Sequence, residues 1–206
     1  MASIIIVGAS GNIGSCILRE AIARGHAVTA ASRDPGKFPE ATDFKIVRAD
    51  THEVEHLAEL LRENEVAIFA VKWNENDIDS VIEAIRLSGV ARAIVVVGAG
   101  SLEREDGRLH FDHMKDKGIE PPTSRPAMLA LDALRVQADI VWTAISPPVE
   151  IYPGERTGVY RLEGDIMPEP SVGFPHARIS REDFAVAILD EVQGSQHLRR
   201  RFTAAN

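Results

Sequence analysis

The chain has 206 residues, 45% hydrophobic and 26% charged, which is enough to fold around one α/β core. Its net charge of −8 at neutral pH disfavours nucleic acid as a partner, because binding to a phosphate backbone needs a basic face. No apolar run approaches the length that crosses a membrane, and the N-terminus lacks the charged start of a secretory signal, so we expect a soluble cytoplasmic protein with no membrane partner.

The first strand and the glycines after it predict a dinucleotide-binding site. Residues 4–7 are β-branched and apolar, as in a strand buried on both faces of a parallel sheet. Gly8 then allows a sharp turn, Gly11 lets the backbone approach a pyrophosphate, and Gly14 lets the following helix lie close to the strand. The free N–H groups of that helix face the anion. The expected phosphate contacts are Gly8, Ser10, Gly11, Asn12 and Ile13.

The second strand, predicted over residues 26–31, ends near the charges that select the cofactor. In an NAD site a carboxylate at this position binds the ribose 2′-hydroxyl. Here the first charge is Arg33, with Lys37 nearby, and a guanidinium suits a 2′-phosphate. We therefore expect NADPH, with Arg33 on its 2′-phosphate. Asp34 leaves NADH open, because its carboxylate could bind the ribose hydroxyls, and Arg33 could simply close the strand end.

Strands and helices alternate along the rest of the chain, which predicts an α/β fold with a Rossmann-type, doubly wound parallel sheet. The expected strands are 44–49, 65–71, 93–97 and 140–145, and the expected helices are 52–62, 76–87 and 124–138. Residues 102–122 lack a clear period and are long enough to form a functional lid. No linker is visible, so residues 1–206 are predicted to form a single domain.

The last quarter of the chain changes character and predicts a small C-terminal appendage over about residues 147–180, on the substrate side. Residues 153–161 are predicted to form a turn and a short strand. Ser180 begins a capping-box pattern before another helix, and residues 201–203 form a terminal strand.

Ligands of a doubly wound sheet bind beyond the carboxyl ends of its strands, so the residues there are site candidates. Beyond the first turn and Arg33 they are Asp50, Thr51, Ala70, Val71, Lys72, Trp73, residues 98–101 and residues 146–148. Residues 70–73, 98–101 and 146–148 fall where the nicotinamide end should lie. Trp73 and the prolines could equally be loop residues selected for turn geometry.

Two patterns that often carry chemistry are interpreted as structural. The segment from His52 to His56 matches the zinc-protease pattern H-E-x-x-H, which needs a cleft-lining helix and a third ligand. Here the segment opens a helix directly after a strand, and both histidines fall off the apolar face, so no metal site is expected. Cys16 is the only cysteine and is expected to be a small buried residue of the first helix.

The three glycines, together with Arg33 and the pair Asp50-Thr51, resemble the atypical short-chain dehydrogenase/reductase superfamily. Segments 95–102, 142–143, 146–148, 153–158 and 201–203 are similar to the NAD(P)H-binding group of proposed NADH-flavin reductases, akin to NmrA-like proteins and biliverdin-IXβ/flavin reductase. The resemblance implies a Rossmann fold with an extended cofactor. It also implies that Asp50 and Thr51 lie near the adenine, and that Ala70 and Val71 lie against the ribose.

One departure from the resemblance bears on the reaction. Short-chain dehydrogenases with the ordinary mechanism carry a Tyr-x-x-x-Lys pair, whereas neither Tyr152 nor Tyr160, the two tyrosines here, has a lysine four residues later. Alcohol–ketone chemistry is therefore disfavoured, which leaves hydride transfer to an acceptor that needs little proton help, such as a flavin or a quinone. Ser101 is the catalytic candidate, by analogy with the strand-five serine of related reductases, although it could also be a turn or capping residue.

Two functions remain open from the sequence. The first is an NADPH-dependent oxidoreductase that reduces a small-molecule acceptor such as free flavin. The second is a non-catalytic sensor of the NmrA-like type, which binds NADP(H) and passes the redox state to a partner protein. An epimerase or dehydratase is disfavoured, because those enzymes usually keep the Tyr-Lys pair.

Overall fold

The computed structural model describes residues 1–39 and 43–206, which fold into a sheet with helices on both faces. The strands in this part of the chain are β1 (Ser3–Val7), β2 (Ala27–Ser32), β3 (Lys45–Arg48), β4 (Val66–Phe69), β5 (Arg92–Val96), β6 (Trp142–Ser146), β7 (Glu150–Tyr152), β8 (Arg161–Glu163), β9 (Arg178–Ser180) and β10 (Arg200–Ala205). The helices are α1 (Gly14–Ala23), α2 (Val54–Arg62), α3 (Ile78–Ser88), α4 (His110–Asp116), α5 (Ser124–Arg135) and α6 (Arg181–Gly194).

The main sheet has eight strands among the described residues, in the order β3-β2-β1-β4-β5-β6-β10-β8. All neighbours pair in parallel except β8, which runs antiparallel to β10 at the edge. In the central register Ile6 of β1 lies between Ala30 of β2 and Ile68 of β4. The chain leaves β1 first toward β2 and later toward β4, so the topological switch point lies between β1 and β4. The predicted Rossmann-type fold is confirmed.

The core consists of two apolar layers, one on each face of the sheet. Ile5 and Val7 of β1 pack under α2, α3 and α5, whereas Ile4 and Ile6 pack under α1 and α6. Successive side chains of a strand point to opposite faces, so a strand covered on both faces must be apolar at every position. This explains the unbroken apolar run of β1.

Local signals set the ends of several helices as predicted. Gly25 follows α1 with φ +74°, and Gly89 ends α3 with φ +67°, a left-handed conformation that glycine adopts at low cost. Ser180 caps α6, because its Oγ accepts a hydrogen bond from the N–H of Asp183 at 2.9 Å.

The carboxylate of Asp183 ties the appendage to α6 rather than completing a capping box. It accepts hydrogen bonds from the backbone N–H groups of Thr157 (2.8 Å) and Gly158 (2.7 Å), and from the Thr157 hydroxyl at 2.6 Å. Burial raises the pKa of Asp183, but the hydrogen bonds from Thr157, Gly158 and Asn206 outweigh burial, and the pKa lies below its usual value.

Several predicted boundaries were wrong. The helix expected from residue 52 begins at Val54, because the carboxylate of Asp50 holds the backbone N–H of His52 in a turn. The helix expected to reach residue 138 ends at Arg135. Residues 102–122 are not irregular throughout, since they contain α4.

The appendage also differs from the prediction in two respects. No strand forms in residues 153–160, where Asp183 binds the backbone instead, and β8 begins only at Arg161. The short strands β7 and β9 form a separate parallel pair that was not predicted.

Candidate functional site

A cleft of about 250 Å³ opens at the carboxyl ends of β1, β2 and β4, at the topological switch point. It is lined by Val7, Gly8, Ser10, Gly11, Ser32, Arg33, Asp34, Lys37, Ala49, Thr51, Ala70, Val71, Lys72, Glu75 and Asn76. Eight of the predicted cofactor residues are therefore brought together here: Gly8, Ser10, Gly11, Arg33, Thr51, Ala70, Val71 and Lys72. Asn12, Ile13 and Asp50 are not among the lining residues.

The turn after β1 depends on two glycines for its own packing. Gly8 has φ +89°, and a Cβ there would lie 2.4 Å from the carbonyl oxygen of Ala70. A Cβ on Gly14 would lie 2.1 Å from the carbonyl oxygen of Gly8. No larger residue fits at either position without moving the backbone.

Gly11 is different, because it is exposed at the cleft. A Cβ there would meet only the carbonyl oxygen of Gly8, at 3.2 Å. The protein's own packing therefore restricts this position far less than Gly8 or Gly14. The bare backbone at Gly11 leaves room for a group that approaches from the cleft, which fits the pyrophosphate of a dinucleotide.

The start of α1 can supply hydrogen-bond donors to such a group. Ile13 occupies the N-cap position, and no side chain caps the helix. The N–H groups at the start of a helix carry partial positive charge and bind phosphate. The N–H groups of Ser15 and Cys16 already donate to the carbonyl oxygens of Gly11 and Ile13, so the donors for a ligand come from the residues before Ser15. Beside them, the hydroxyls of Ser10 and Ser32 share a hydrogen bond of 2.8 Å, so Ser10 is held next to the end of β2.

The rim of the cleft beyond β2 carries charges of both signs. Arg33 Nη2 donates to Glu75 Oε2 at 2.9 Å, and 59% of the Arg33 side chain is exposed. This hydrogen bond is the main reason why the pKa of Glu75 is lowered, and Lys72 on the other side of Glu75 adds to the effect. Asp34 accepts a hydrogen bond from the N–H of Gly36 at 3.1 Å, so its carboxylate caps its own turn.

The opposite wall of the cleft is fixed by side-chain amides and hydroxyls. Thr51 Oγ1 donates to Asn76 Oδ1 at 2.7 Å, and Asn76 Nδ2 donates to the carbonyl oxygen of Lys72 at 2.7 Å. Asp50 instead accepts from the N–H of His52, the main cause of its lowered pKa. Glu75 and Asn76 were not predicted, although the polar residues 74–76 shortly after β4 were a visible signal.

Ser101 lies farther along the same edge of the sheet, in a short 3-10 turn (Ala99–Ser101) after β5. It is buried, and Arg201 Nη1 lies 3.3 Å from its Oγ and 3.1 Å from the Oγ of Ser146. Because a guanidinium can only donate, both hydroxyl oxygens accept, and the hydrogen of Ser101 is left for another partner. Ser101 does not line the cleft.

Trp73 does not reach the site that its position suggested. Its ring is buried in the core, and Nε1 donates to the carbonyl oxygen of Val96 at 2.8 Å. The alternative that Trp73 is a structural residue is therefore correct.

The two tyrosines interact with residues outside the cleft. Tyr160 donates its phenolic hydrogen to Asp190, and burial together with that carboxylate raises its pKa. The centroid of the Tyr152 ring lies 3.9 Å from the guanidinium carbon of Arg178. Neither residue lines the cleft at the β1/β4 switch point.

The histidines of the H-E-x-x-H segment lie on the surface with separate partners. A ring nitrogen of His52 lies 2.9 Å from Asp50 Oδ1, and His56 Nε2 lies 3.3 Å from the carbonyl oxygen of Arg48. Within residues 1–39 and 43–206, no three metal-ligand side chains are grouped as a metal site would need. No helix in the same residues is long and apolar enough to cross a membrane.

Comparison with known proteins agrees with this geometry. Residues 8–194 match the NAD(P)H-binding family. The chain is 32% identical to the uncharacterized protein YwnB of Bacillus subtilis (strain 168), over 98% of this chain and 97% of YwnB.

Solved structures cover the whole fold. A proposed exported protein from Burkholderia pseudomallei is 32% identical with a TM-score of 0.87, over 100% of both chains. A proposed epimerase from Bacteroides thetaiotaomicron is 33% identical with a TM-score of 0.87, over 98% of this chain and 96% of the other. A proposed NADH-flavin reductase from Streptococcus pneumoniae TIGR4 is 27% identical with a TM-score of 0.82, over 100% of both chains. The chain belongs to the NAD(P)H-binding family and has its oxidoreductase-type Rossmann fold.

Proposed function

We propose that this protein is an NADPH-dependent oxidoreductase that transfers a hydride to a flavin or a similar planar acceptor. The observation that carries the proposal is the cleft at the β1/β4 switch point, where the glycine turn, the uncapped start of α1 and the cations of the rim converge. The name of the Streptococcus pneumoniae neighbour supports the acceptor class.

Each part of the cofactor has a counterpart in the cleft. The backbone of residues 8–13 and the Ser10 hydroxyl would hold the pyrophosphate, Thr51 with Asp50 would lie by the adenine, and residues 70–72 would lie by the nicotinamide ribose. When bound, the nicotinamide supplies the hydride. The protein's task is then to align the acceptor and to exclude water.

Arg33 is the residue that would distinguish NADPH from NADH. Its guanidinium can leave Glu75 and pair with a 2′-phosphate, which offers more negative charge than one carboxylate. Asp34, the residue that could favour NADH, already binds the N–H of Gly36. Lys37 on the same rim adds a second cation.

Ser101 is the proposed hydrogen-bond donor to the acceptor. The hydrogen bond from Arg201 orients its oxygen and leaves its hydrogen free. With no Tyr-x-x-x-Lys pair in the sequence, the reaction needs an acceptor that takes a hydride without a strong general acid, and an oxidised flavin meets that requirement.

The test is steady-state NADPH oxidation by the purified protein with FMN, riboflavin, dichlorophenolindophenol and quinones as acceptors. We expect turnover with at least one of these acceptors, and loss of that turnover in the variant Gly11→Val. Tight NADPH binding without turnover on any acceptor would refute the enzyme and favour a redox sensor of the NmrA-like type.

We further propose that the protein acts in the cytoplasm, where NADPH is regenerated. Cell fractionation with an antibody against the protein checks this location. Recovery outside the cytoplasm would contradict the proposal and would agree with the name of the Burkholderia pseudomallei neighbour.

A further inference from the structure

A second cavity, of about 450 Å³, lies beside the carboxyl ends of β5 and β6. Its walls come from α4, which packs on the turn that holds Ser101, and from residues that follow β6 and precede β9. Among the described residues it shares none of its lining with the cofactor cleft. Its volume is within the range of about 300–1,000 Å³ that is typical of small-molecule sites.

The wall of this cavity combines an apolar surface with unpaired positive charge. Met114 and Ile119 contribute the apolar part, and Arg104, Lys117 and His176 contribute basic groups. In the part of the chain that the structure describes, these three basic residues form no ion pair, and the cavity lining contains no acidic residue. Basic groups gathered around one space repel each other, and a bound anion relieves that repulsion.

Two further histidines line the cavity and add donors. His110 is buried, and its Nδ1 lies 3.4 Å from Arg104 Nη1. Burial lowers the pKa of His110, and the charge of Arg104 lowers it further. Because the Arg104 guanidinium can only donate, Nδ1 accepts, and the neutral ring carries its hydrogen on Nε2. His113 is paired with Asp106 at 2.9 Å.

The acidic residues of this region line an adjoining cavity, which shares a wall with the cavity of about 450 Å³. Glu105, Asp106 and Glu169 line this adjoining cavity of about 360 Å³. The residues common to both cavities are Arg104, His113, Val149, Pro175 and His176. The lining of the 450 Å³ cavity holds basic residues and no acidic one, so a negatively charged ligand is favoured on that side of the shared wall.

We propose that this cavity binds the hydride acceptor through a phosphate group, so that the substrate is a planar aromatic molecule with a phosphorylated side chain, as in FMN. The reaction assigned to this ligand rests on the proposed function, whereas the binding of a phosphorylated ligand to the cavity does not. Arg104 and Lys117 bind the phosphate, with His176 beside them, and Met114 and Ile119 cover apolar parts of the ligand. The turn that holds Ser101 packs against α4, whose residues line the cavity.

The experiment is calorimetric titration of the NADP⁺-loaded protein with FMN and with riboflavin, which lacks the phosphate, so that no turnover occurs. We expect FMN to bind at least about tenfold more tightly than riboflavin. Arg104→Gln and Lys117→Gln should each weaken FMN by about five- to tenfold and leave riboflavin unchanged. Lys115→Gln is the matched control, because Lys115 is an exposed lysine of α4 that does not line the cavity.

The outcomes separate this inference from the proposed function. Equal affinity for the two flavins, no binding of either, or equal loss of both in Arg104→Gln would overturn the inference. FMN selectivity without any NADPH oxidation would retain the phosphate site and refute the enzyme. NADPH oxidation with both flavins alike, undisturbed by the two variants, would retain the enzyme and overturn the phosphate site.

Discussion

Replacing Arg33 with alanine tests how the cofactor's 2′-phosphate is recognised. A charge-assisted hydrogen bond to phosphate contributes about 1.5–3 kcal/mol, which is about 10- to 100-fold in affinity. In the structure the Arg33 side chain is 59% exposed, and its guanidinium donates to Glu75 at 2.9 Å, so the phosphate must replace that partner. An exposed ion pair is weak, and it reduces the gain by only a few-fold. We expect Arg33→Ala to weaken NADPH by about 3- to 30-fold and to leave NADH nearly unchanged.

A second variant removes the carboxylate of Glu75, which competes with the 2′-phosphate for Arg33. Glu75→Gln frees the guanidinium and removes a negative charge from the rim, so it should tighten NADPH by about threefold without affecting NADH. High salt should partly reproduce the loss seen in Arg33→Ala, because ions screen an exposed charge pair.

Calorimetry with both cofactors on the wild type and both variants gives the required dissociation constants. A wild type that prefers NADH, or an Arg33→Ala protein that loses both cofactors equally, would refute the reasoning. In either case Arg33 does not recognise the phosphate.

Three further variants test other parts of the account. Gly11→Val should abolish NADPH binding and keep the circular dichroism spectrum of the folded protein, because its side chain enters the cleft and not the core; unchanged NADPH affinity would contradict this. The double variant His52→Ala/His56→Ala should change neither activity nor metal content, and stoichiometric zinc that is lost in the variant would prove a metal site. Asp183→Asn should lower the free energy of unfolding by about 2 kcal/mol at neutral pH. Folding lowers the pKa of Asp183, so the stability that its carboxylate contributes is present above the unfolded pKa and is lost as the pH falls. The free energy of unfolding should therefore decrease less steeply with falling pH in Asp183→Asn than in the wild type. An identical pH profile would refute the role of Asp183 in holding the appendage.

The parts of the fold that depend on local sequence could be predicted. The apolar run of β1, the glycine turn after it and the helix-ending Gly25 and Gly89 all reflect neighbouring residues alone. The positions of Gly8 and Arg33 at the cleft could also be predicted, because the strand order of a doubly wound fold brings the strand ends together.

Tertiary contacts decided what the sequence could not show. The carboxylate of Asp183 binds the backbone of segment 153–160. Trp73 lies in the core, where its Nε1 donates a hydrogen bond to the carbonyl oxygen of Val96. Glu75 pairs with Arg33 across 42 residues of chain, so its place on the rim depends on the packing of β4 beside β1. A pattern of neighbouring residues does not contain such distant partners.

The central claim is direct hydride transfer from NADPH to a planar acceptor. Its most direct test is rapid anaerobic mixing of the protein and FMN with NADPH that carries deuterium on one or the other face of the nicotinamide C4. We predict that flavin bleaching matches NADPH oxidation and is slowed by deuterium on one face only. A flavin that is not reduced, or a rate of flavin bleaching that is insensitive to deuterium on either face, would contradict the account.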